Sequence, residues 1–240
     1  MNKGLKESYV NGIIKTFRAF FKYAYQEEYI VRNPMLKVKW QREVIPVITT
    51  FTNDEVRKMI CHYNGKRFLD IRNKLIMIIL FDSGIRNTEL CDVRMEDIRE
   101  TFIIVHGKGK KIRHVPITYS INKYLIKYLR VREEYVRDKF NYEKEYLLLS
   151  QKGKKLTKET LERIVKEAGD GANIRKEIRC SPHTCRHYYA QAQLINGCDI
   201  YTLSKLLGHQ NINITKRYLQ SMHNEDFIDL GAKTSPLSNM

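Results

Sequence analysis

The 240-residue sequence lacks a long apolar run, and this lack excludes a membrane-spanning helix. Its longest unbroken apolar stretch, from Leu75 to Phe81, has seven residues, whereas a helix that crosses a bilayer needs about 18 or more. The sequence begins Met-Asn-Lys-Gly and continues into charged residues instead of the apolar region of a secretory signal. We therefore expect a cytoplasmic protein that does not associate with membranes.

Cysteine is also scarce, and its distribution does not suggest a disulfide framework. The five cysteines are odd in number and are scattered through apolar or helical stretches, which predicts reduced thiols. No internal repeat or low-complexity tract is visible. A composition with 42% hydrophobic and 29% charged residues is that of an ordinary globular protein.

Acidic residues are too few to balance the basic ones. The sequence has 43 lysines and arginines against 27 aspartates and glutamates, which gives a formal net charge of +16. An excess this large favours a polyanionic partner, and nucleic acid is the leading candidate. The charge alone leaves open a basic protein that is merely soluble.

The spacing of apolar residues predicts a mainly α-helical fold. The first helix covers residues 8–30 and carries Lys15, Arg18 and Lys22 on the face opposite its apolar side. A basic linker of extended character follows, and we place a domain boundary near residue 48. Further helices are expected over residues 52–62, 67–83, 121–140, 157–168, 182–197 and 199–208, and a short one around Tyr218.

The predicted β structure is one or two small antiparallel elements, of which one is a hairpin. Two β-rich stretches, residues 101–105 and 112–117, flank a turn that is rich in glycine and lysine. The turn contains Lys108, Lys110 and Lys111, so the tip of the hairpin is strongly cationic. The fold class is therefore α+β, mainly helical with a small antiparallel sheet.

Three short segments place unusual polar residues at helix ends or turns. In the first, Arg86 follows a tight turn, and Glu89 three residues later is positioned to hold the arginine by an ion pair. In the second, His183 and Arg186 lie three residues apart at a helix start, where a phosphate would fit. The third segment ends in His209, just after a glycine.

Each segment also has a plainer interpretation. The arginine and glutamate of the first segment could form an ordinary surface salt bridge, and His209 could be a hydrogen-bonded histidine near a helix end. A zinc site is a further alternative in the second segment. Four potential ligands lie within eight residues there, namely Cys180, His183, Cys185 and His187. Their spacing lacks the paired C-x2-C and H-x3-H units of structural zinc sites, so we expect no metal.

Together these segments resemble the tyrosine recombinase (phage integrase) family. The sequence Gly-Ile-Arg86-Asn-Thr-Glu89-Leu resembles the family's G-x-R-x-x-E-L box, and Lys108 resembles its β-hairpin lysine. The sequence His183-Thr-Cys-Arg186 resembles the H-x-x-R box. Five such elements occur in the family's order.

The resemblance extends over about residues 8–228. Leu-Leu-Gly-His209 matches the L-L-G-H box, and Tyr218, nine residues later, occupies the position of the nucleophile. Each box alone would be a weak signal, but their common order makes the resemblance specific.

The resemblance also implies the domain organisation. Residues 1–47 would hold a partial helical core-binding domain and a linker, residues 48–231 the catalytic domain with a C-terminal exchange helix, and residues 232–240 a flexible tail. Because family members begin with a larger helical domain, most of that domain is expected to be missing from this sequence.

The resemblance implies a cage of side chains around a DNA phosphate. Arg86 and Arg186 would neutralise the non-bridging oxygens as the phosphorus becomes pentacoordinate. His183 is expected to accept the tyrosine proton, and His209 to donate to a phosphate oxygen. Glu89 would support the first arginine.

The expected chemistry needs neither a metal nor ATP, and no cofactor is implied. Tyr218 would attack the phosphorus and conserve the bond energy in a 3′-phosphotyrosyl link. Lys108 would protonate the leaving 5′ oxygen as a general acid. Contacts with the backbone of double-stranded DNA are expected from Lys15, Arg18, Lys22, Lys110, Lys111 and Arg113.

The family implies a site-specific recombinase that works as a homotetramer through a Holliday junction. A helix in residues 219–230 would dock on the neighbouring protomer, although the segment could instead fold back in cis. An accessory directionality factor is a further expected partner, and a mobile element is the favoured biological context. The expected location is the cytoplasm, with the nucleoid.

Two other functions compete with recombination. A type IB topoisomerase uses an equivalent tyrosine, but the L-L-G-H box and the C-terminal segment favour the recombinase. A non-catalytic DNA-binding regulator is suggested by the helix-glycine-helix arrangement of residues 182–207. Such a regulator would have no need of a tyrosine, two arginines and a hairpin lysine in register.

Overall fold

The computed structural model describes residues 4–42, 48–107, 109, 111–137, 140–222 and 224–234. Contacts between Cα atoms divide the chain into two compact units, Met1–Val47 and Ile48–Met240. Of the residues singled out from the sequence, Lys108 and Lys110 lie outside the described residues, as does most of the expected tail.

The first unit is built around helix α1, Glu7–Gln26, which is followed by a short 3-10 helix, Pro34–Lys37. The amphipathic helix predicted from the sequence is confirmed, but it ends before the predicted limit at residue 30. Glu28 has a φ of 60°, in the left-handed region, and this conformation stops the helix.

The second unit is mainly helical with one two-stranded antiparallel sheet, as the sequence predicts. In chain order it contains α2 (Asn53–His62), α3 (Phe68–Ser83), α4 (Asn87–Asp92), β1 (Phe102–His106), β2 (Ile112–Pro116), α5 (Tyr119–Val136), α6 (Lys158–Gly171), α7 (Pro182–Ile195), α8 (Ile200–Leu207), α9 (Ile212–Leu219) and α10 (Asn224–Lys233). None of the helices formed by the described residues has the length and apolar character that a membrane span requires.

Helix α3 forms the centre of the second unit. Its apolar stretch from Leu75 to Phe81 is buried throughout, and it packs against α5 and α7, as expected for a helix that is hydrophobic all round. Gly84 ends the helix with a φ of 58°, and a Cβ there would lie 2.4 Å from the Tyr189 ring. Both the conformation and the space therefore require glycine at this turn.

The predicted helix starts are present in the structure. The Thr52 side chain accepts a hydrogen bond from the backbone of Glu55, whose carboxylate accepts one from the Thr52 N–H, which completes a capping box. Ser181 caps α7, with Pro182 at the first helical position. These local signals were sufficient to locate both starts.

The hairpin pairs the two strands so that Val105 lies opposite Arg113. Side chains alternate between the two faces of a strand, so Arg113 is on the same face as the buried Val115. The arginine therefore points toward the body of the unit.

Several element boundaries differ from those expected. Helix α4 is not among the expected helices. Helix α5 begins at Tyr119, before the expected start at residue 121, because Thr118 caps it through the N–H of Ile121. Helix α10 begins at Asn224 and continues to Lys233, so the last two residues of the helix lie in the segment expected to be a tail.

Candidate active site

Four segments of the second unit bring polar side chains into one cluster, defined here as Arg86, Arg186, His209 and Tyr218. Arg186 lies 3.1 Å from Nε2 of His209, and the His209 ring stacks at 6.5 Å on the ring of Tyr218. Arg86 donates to the carbonyl oxygen of Gly208, next to the histidine, at 3.2 Å. Residues separated by more than a hundred positions in the chain are therefore neighbours.

Arg186 is buried in α7 and is held by backbone carbonyl groups. Its guanidinium donates to the oxygen of Gly84 at 2.5 Å and to that of Leu207 at 2.6 Å. Burial, together with the charge of Arg86, lowers the pKa of Arg186 to about 10, so the side chain remains charged at neutral pH. The guanidinium is fixed in place by acceptors that carry no full negative charge.

Arg86 is anchored by Glu89, as the spacing predicts, at 2.8 Å. The same carboxylate binds Arg113 of β2 in a two-pronged manner, at 2.8 and 2.7 Å. Glu89 is 6% exposed, and Arg113 is 11% exposed. Burial alone would raise the pKa of Glu89, but the hydrogen bonds and charge of Arg113, followed by those of Arg86, bring it down to about 2. One carboxylate therefore joins two arginines.

The Arg113 side chain has a further bond inside the unit, since its Nε donates to the carbonyl oxygen of Leu206 at 3.1 Å. This arginine was expected to contact DNA phosphate from the surface. Its guanidinium is instead bonded to the carboxylate of Glu89 and to the carbonyl oxygen of Leu206 in α8.

His209 is fixed from two sides. Its Nδ1 lies 2.8 Å from the hydroxyl of the fully buried Thr215 in α9, and its Nε2 faces Arg186. Because the guanidinium can only donate, Nε2 is the acceptor and Nδ1 carries the proton in the neutral ring. Burial, then the charge of Arg186, lowers the pKa of His209 to about 4.

Tyr218 is 4% exposed, and its hydroxyl lies 3.2 Å from Nδ1 of His187. Burial raises the pKa of Tyr218, and the charges of Arg186 and Arg217 act against this rise. Burial, the neighbouring His183 and the same arginines lower the pKa of His187 to about 4. The phenol and the imidazole are therefore both uncharged at neutral pH.

His183 is exposed at the start of α7, and its ring centroid lies 4.1 Å from that of His187. Partial desolvation of the His183 ring, then the charge of Arg186, lowers the pKa of His183. Both histidines line a cleft of about 1310 Å³. The cleft is also lined by basic side chains, which are Arg163, Lys166, Arg175, Lys176 and Arg179, and by the acidic Glu159, Glu162 and Asp170.

The other residues expected to bind DNA are distributed over both units. In the first unit, Lys15 and Lys22 are exposed on α1, while Arg18 lies 4.6 Å from the Trp40 ring and donates to a backbone carbonyl. In the second unit, Lys111 is exposed beside the hairpin turn.

The metal alternative gains no geometric support from the described residues, among which no group of three histidine, cysteine or acidic side chains is arranged to hold an ion. Cys185 is fully buried, and burial raises the pKa of its thiol.

Two residues of the site were missed from the sequence. His187 was considered as a zinc ligand, although its position four residues after His183 on a helix placed both rings on one face. Thr215 had a weaker signal, since it lies three residues before Tyr218 on the same face of α9.

Comparison with known proteins identifies one family. The model of the phage integrase family matches residues 49–225. Tyrosine recombinase XerC of Thermodesulfovibrio yellowstonii is 31% identical over 242 residues, which cover 98% of this chain and 78% of the relative. Tyrosine recombinase XerD of Listeria monocytogenes is 30% identical over 207 residues, which cover 85% of this chain and 69% of the relative.

The fold is also similar to that of solved structures. A crystal structure of XerH site-specific recombinase bound to its palindromic difH substrate, a post-cleavage complex, superposes with a TM-score of 0.68. The match covers 99% of this chain and 74% of XerH at 20% identity. At that identity the likeness concerns the fold.

Proposed function

The chain belongs to the phage integrase family and is a tyrosine recombinase, and on this premise we propose that it exchanges DNA strands through a covalent link between Tyr218 and a 3′ phosphate. The observation that carries the proposal is the convergence of Arg86, Arg186 and His209 on this tyrosine. A bare DNA-binding surface would not need a buried phenol in such a setting.

The two arginines supply the positive charge that the reaction needs. As the phosphorus becomes pentacoordinate, negative charge accumulates on its non-bridging oxygens, and donors held in place beforehand stabilise it without reorganising. Arg186 is rigidly held, and Arg86 is 40% exposed, so it can reach a phosphate. His183 at the edge of the cleft is expected to contact a phosphate oxygen. His209 beside Arg186 would donate to one only with a proton on Nε2, the nitrogen that accepts from Arg186 in the free protein.

In the proposed reaction the phenolic oxygen of Tyr218 forms a bond to phosphorus, and the bond from phosphorus to the 5′ oxygen breaks. The leaving oxygen takes a proton from Lys108, a role that rests on the sequence because this residue lies outside the described residues. The phosphotyrosyl ester conserves the bond energy, so ATP is not needed. The free 5′ hydroxyl then attacks the corresponding link of a partner strand, and recombination proceeds through a Holliday junction.

Duplex DNA is the proposed substrate. The structurally similar XerH was crystallised in complex with a DNA substrate. The net charge of +16 of this chain favours a polyanionic partner. The cleft is lined by His183 and His187 and by more basic than acidic side chains, and we propose that it holds part of the DNA backbone. We propose that the protein acts in the cytoplasm, on the DNA of the nucleoid.

Assembly into a tetramer on DNA is the remaining part of the proposal. Helix α10 has no buried residue, and Phe227 and Ile228 on it are 46% and 70% exposed. These apolar side chains are suited to docking on a neighbouring protomer. Mass photometry of the chain with and without its DNA site would test this expectation. An accessory directionality factor is a further proposed partner, and its effect on assembly would be measured in the same way.

The decisive experiment is covalent trapping. A duplex carrying the DNA that flanks the coding sequence is nicked near the expected cleavage site, and the full chain is added with a metal chelator. Cleavage then releases a short fragment with a free 5′ hydroxyl, and its loss prevents rejoining. We expect a protein-DNA adduct on a denaturing gel. Tyr218→Phe should abolish the adduct and retain DNA binding, whereas the control Tyr201→Phe, which changes an exposed tyrosine on α8, should react normally.

Other outcomes would contradict the proposal. A wild-type protein that binds the duplex but forms no adduct would favour a regulator, in which Tyr218→Phe leaves every activity unchanged. An adduct accompanied by relaxation of plasmids without joining of two sites would favour a topoisomerase.

A further inference from the structure

His187 lies next to the hydroxyl of Tyr218, the oxygen that would attack phosphorus in the proposed function, and this inference rests on that function. Its Nδ1 is 3.2 Å from the Tyr218 hydroxyl, within range of a hydrogen bond. The histidine follows Arg186 directly on α7, so the helix that carries a phosphate-binding arginine also orients this ring. The tyrosine comes from α9, and its burial leaves the phenol little freedom to turn away.

We propose that His187, and not His183, accepts the phenolic proton of Tyr218 during strand cleavage. A phenol attacks phosphorus well only if its proton is taken up as the new bond forms. Among the described residues, His187 is the histidine with a ring nitrogen at the tyrosine hydroxyl. His183 contacts the His187 ring and is exposed in the cleft.

The surroundings of His187 leave a ring nitrogen without a proton, and the phosphodiester anion must stabilise the imidazolium that the positive neighbours oppose. The charged and titratable groups that act on it are His183 and Arg186 on its own helix and Arg217 and Tyr218 on α9. Burial and the positive neighbours favour the neutral ring, in which one nitrogen is an acceptor. We assign the acceptor to Nδ1, which faces the phenol, and the proton to Nε2.

The proposed step balances in atoms and charge. The oxygen of Tyr218 bonds to phosphorus, its proton moves to Nδ1 of His187, and the bond to the 5′ oxygen breaks as that oxygen takes a proton from the general acid. The imidazolium that forms is stabilised by the nearby phosphodiester anion. In strand joining His187 returns the proton to the tyrosine oxygen.

The test compares three variants in single-turnover formation of the phosphotyrosyl adduct on the nicked duplex. His187→Ala removes the ring. His187→Asn places an amide oxygen near the position of Nδ1, so it can accept a hydrogen bond from the phenol but cannot take its proton. His183→Asn, on the same helix face, is a comparison variant that removes a proposed phosphate contact and leaves the His187 ring in place. Duplex affinity and thermal unfolding are measured for each variant.

A proton acceptor at position 187 predicts that Ala and Asn lose adduct formation alike, by about 100-fold or more, with near-wild-type affinity and stability. The His183→Asn loss should be much smaller. Added imidazole should partly restore His187→Ala, since the position borders the open cleft. A substrate with sulfur in place of the bridging 5′ oxygen should not restore either variant. A thiolate leaves without being protonated, so this substrate removes the need for the general acid but not the need for an acceptor of the tyrosine proton.

Three results would overturn the assignment. Wild-type rates in His187→Asn would reduce the residue to a positioning role, and rescue by the sulfur substrate would place it on the leaving-group side. A larger loss in His183→Asn would transfer the role to that histidine. If His187→Ala does not fold, the nearly isosteric Asn variant and its pH profile decide the question. Absence of an adduct with the wild-type protein would instead refute the proposed function itself.

Discussion

Replacing Glu89 by glutamine tests whether this carboxylate holds the two arginines of the site in place. The side chain is buried and binds both Arg86 and Arg113 at 2.8 Å or less. Removing one partner of a buried ion pair typically destabilises a protein by about 3–5 kcal/mol, because the other charges stay buried without compensation. The variant leaves the buried Arg113 in that condition, whereas Arg86 is 40% exposed and stays partly solvated.

The pKa of Glu89 leads to the same magnitude by a separate route. A fall from 4.5 to about 2 on folding corresponds to roughly 3 kcal/mol of stability at neutral pH. Because the folded pKa lies below the unfolded one, this stabilisation is complete above about pH 5 and is lost as the pH falls toward 2. The stability difference between wild type and Glu89→Gln should therefore shrink to roughly 1 kcal/mol at pH 3.

Urea denaturation followed by circular dichroism at pH 7, 5 and 3 measures this difference. Glu96→Gln is the control, because Glu96 pairs with Arg94 at 3.6 Å on the surface, where both side chains are half-exposed or more. An exposed pair of this kind is worth about 1 kcal/mol or less at any pH. A loss below 1 kcal/mol for Glu89→Gln at pH 7, or a loss that does not change with pH, would refute the reasoning.

Three further predictions concern the rest of the molecule. Gly84→Ala should lose about 1–3 kcal/mol or more in urea denaturation, since alanine would need a left-handed φ and would collide with the Tyr189 ring; wild-type stability would contradict this. Thiol labelling of the native protein, mapped by mass spectrometry, should modify the exposed Cys61 long before the buried Cys91 and Cys185. DNA affinity measured by fluorescence anisotropy should fall by at least about 10-fold between 50 and 200 mM salt, and a flat response would argue against phosphate contacts.

The fold could be predicted from the sequence where local signals were strong. The apolar run at the centre of α3 predicts a buried helix regardless of its neighbours, and the Thr52 capping box marks a helix start by itself. Boundaries set by backbone conformation could not be predicted in this way. The left-handed Glu28, which ends α1, belongs to a residue type with no special preference for that conformation.

The residues of four boxes, Arg86, Arg186, His209 and Tyr218, lie together in the structure, but their connections could not be predicted from the sequence. The boxes identified Arg86 and Glu89 together because both lie on one helical turn. The bond from Glu89 to Arg113 joins α4 to β2, and a pairing over 24 positions leaves no local trace. A partial signal existed, since Arg113 lies two residues before the buried Val115 and therefore on the same face of the strand. An arginine that points inward needs a partner.

The choice between His183 and His187 also depends on packing that local sequence signals do not reveal. Both histidines lie on the first turns of α7 and share a face, so their spacing could not tell which one meets the tyrosine. Tyr218 reaches α7 through the path of α8 and α9, over 31 positions of chain. Only the packing of these helices directs the phenol toward the second histidine.

The way in which Arg186 is held explains how the site can be charged, buried and ready before DNA arrives. Its partners are carbonyl oxygens at Gly84, which ends α3, and at Leu207, the last residue of α8. Helix ends of this kind carry partial negative charge, so they stabilise the guanidinium without neutralising it. A carboxylate in the same place would cancel the charge that a phosphate needs, whereas the carbonyl groups orient the side chain and leave that charge available. Glu89 performs the opposite role, because its full negative charge offsets the repulsion between Arg86 and Arg113.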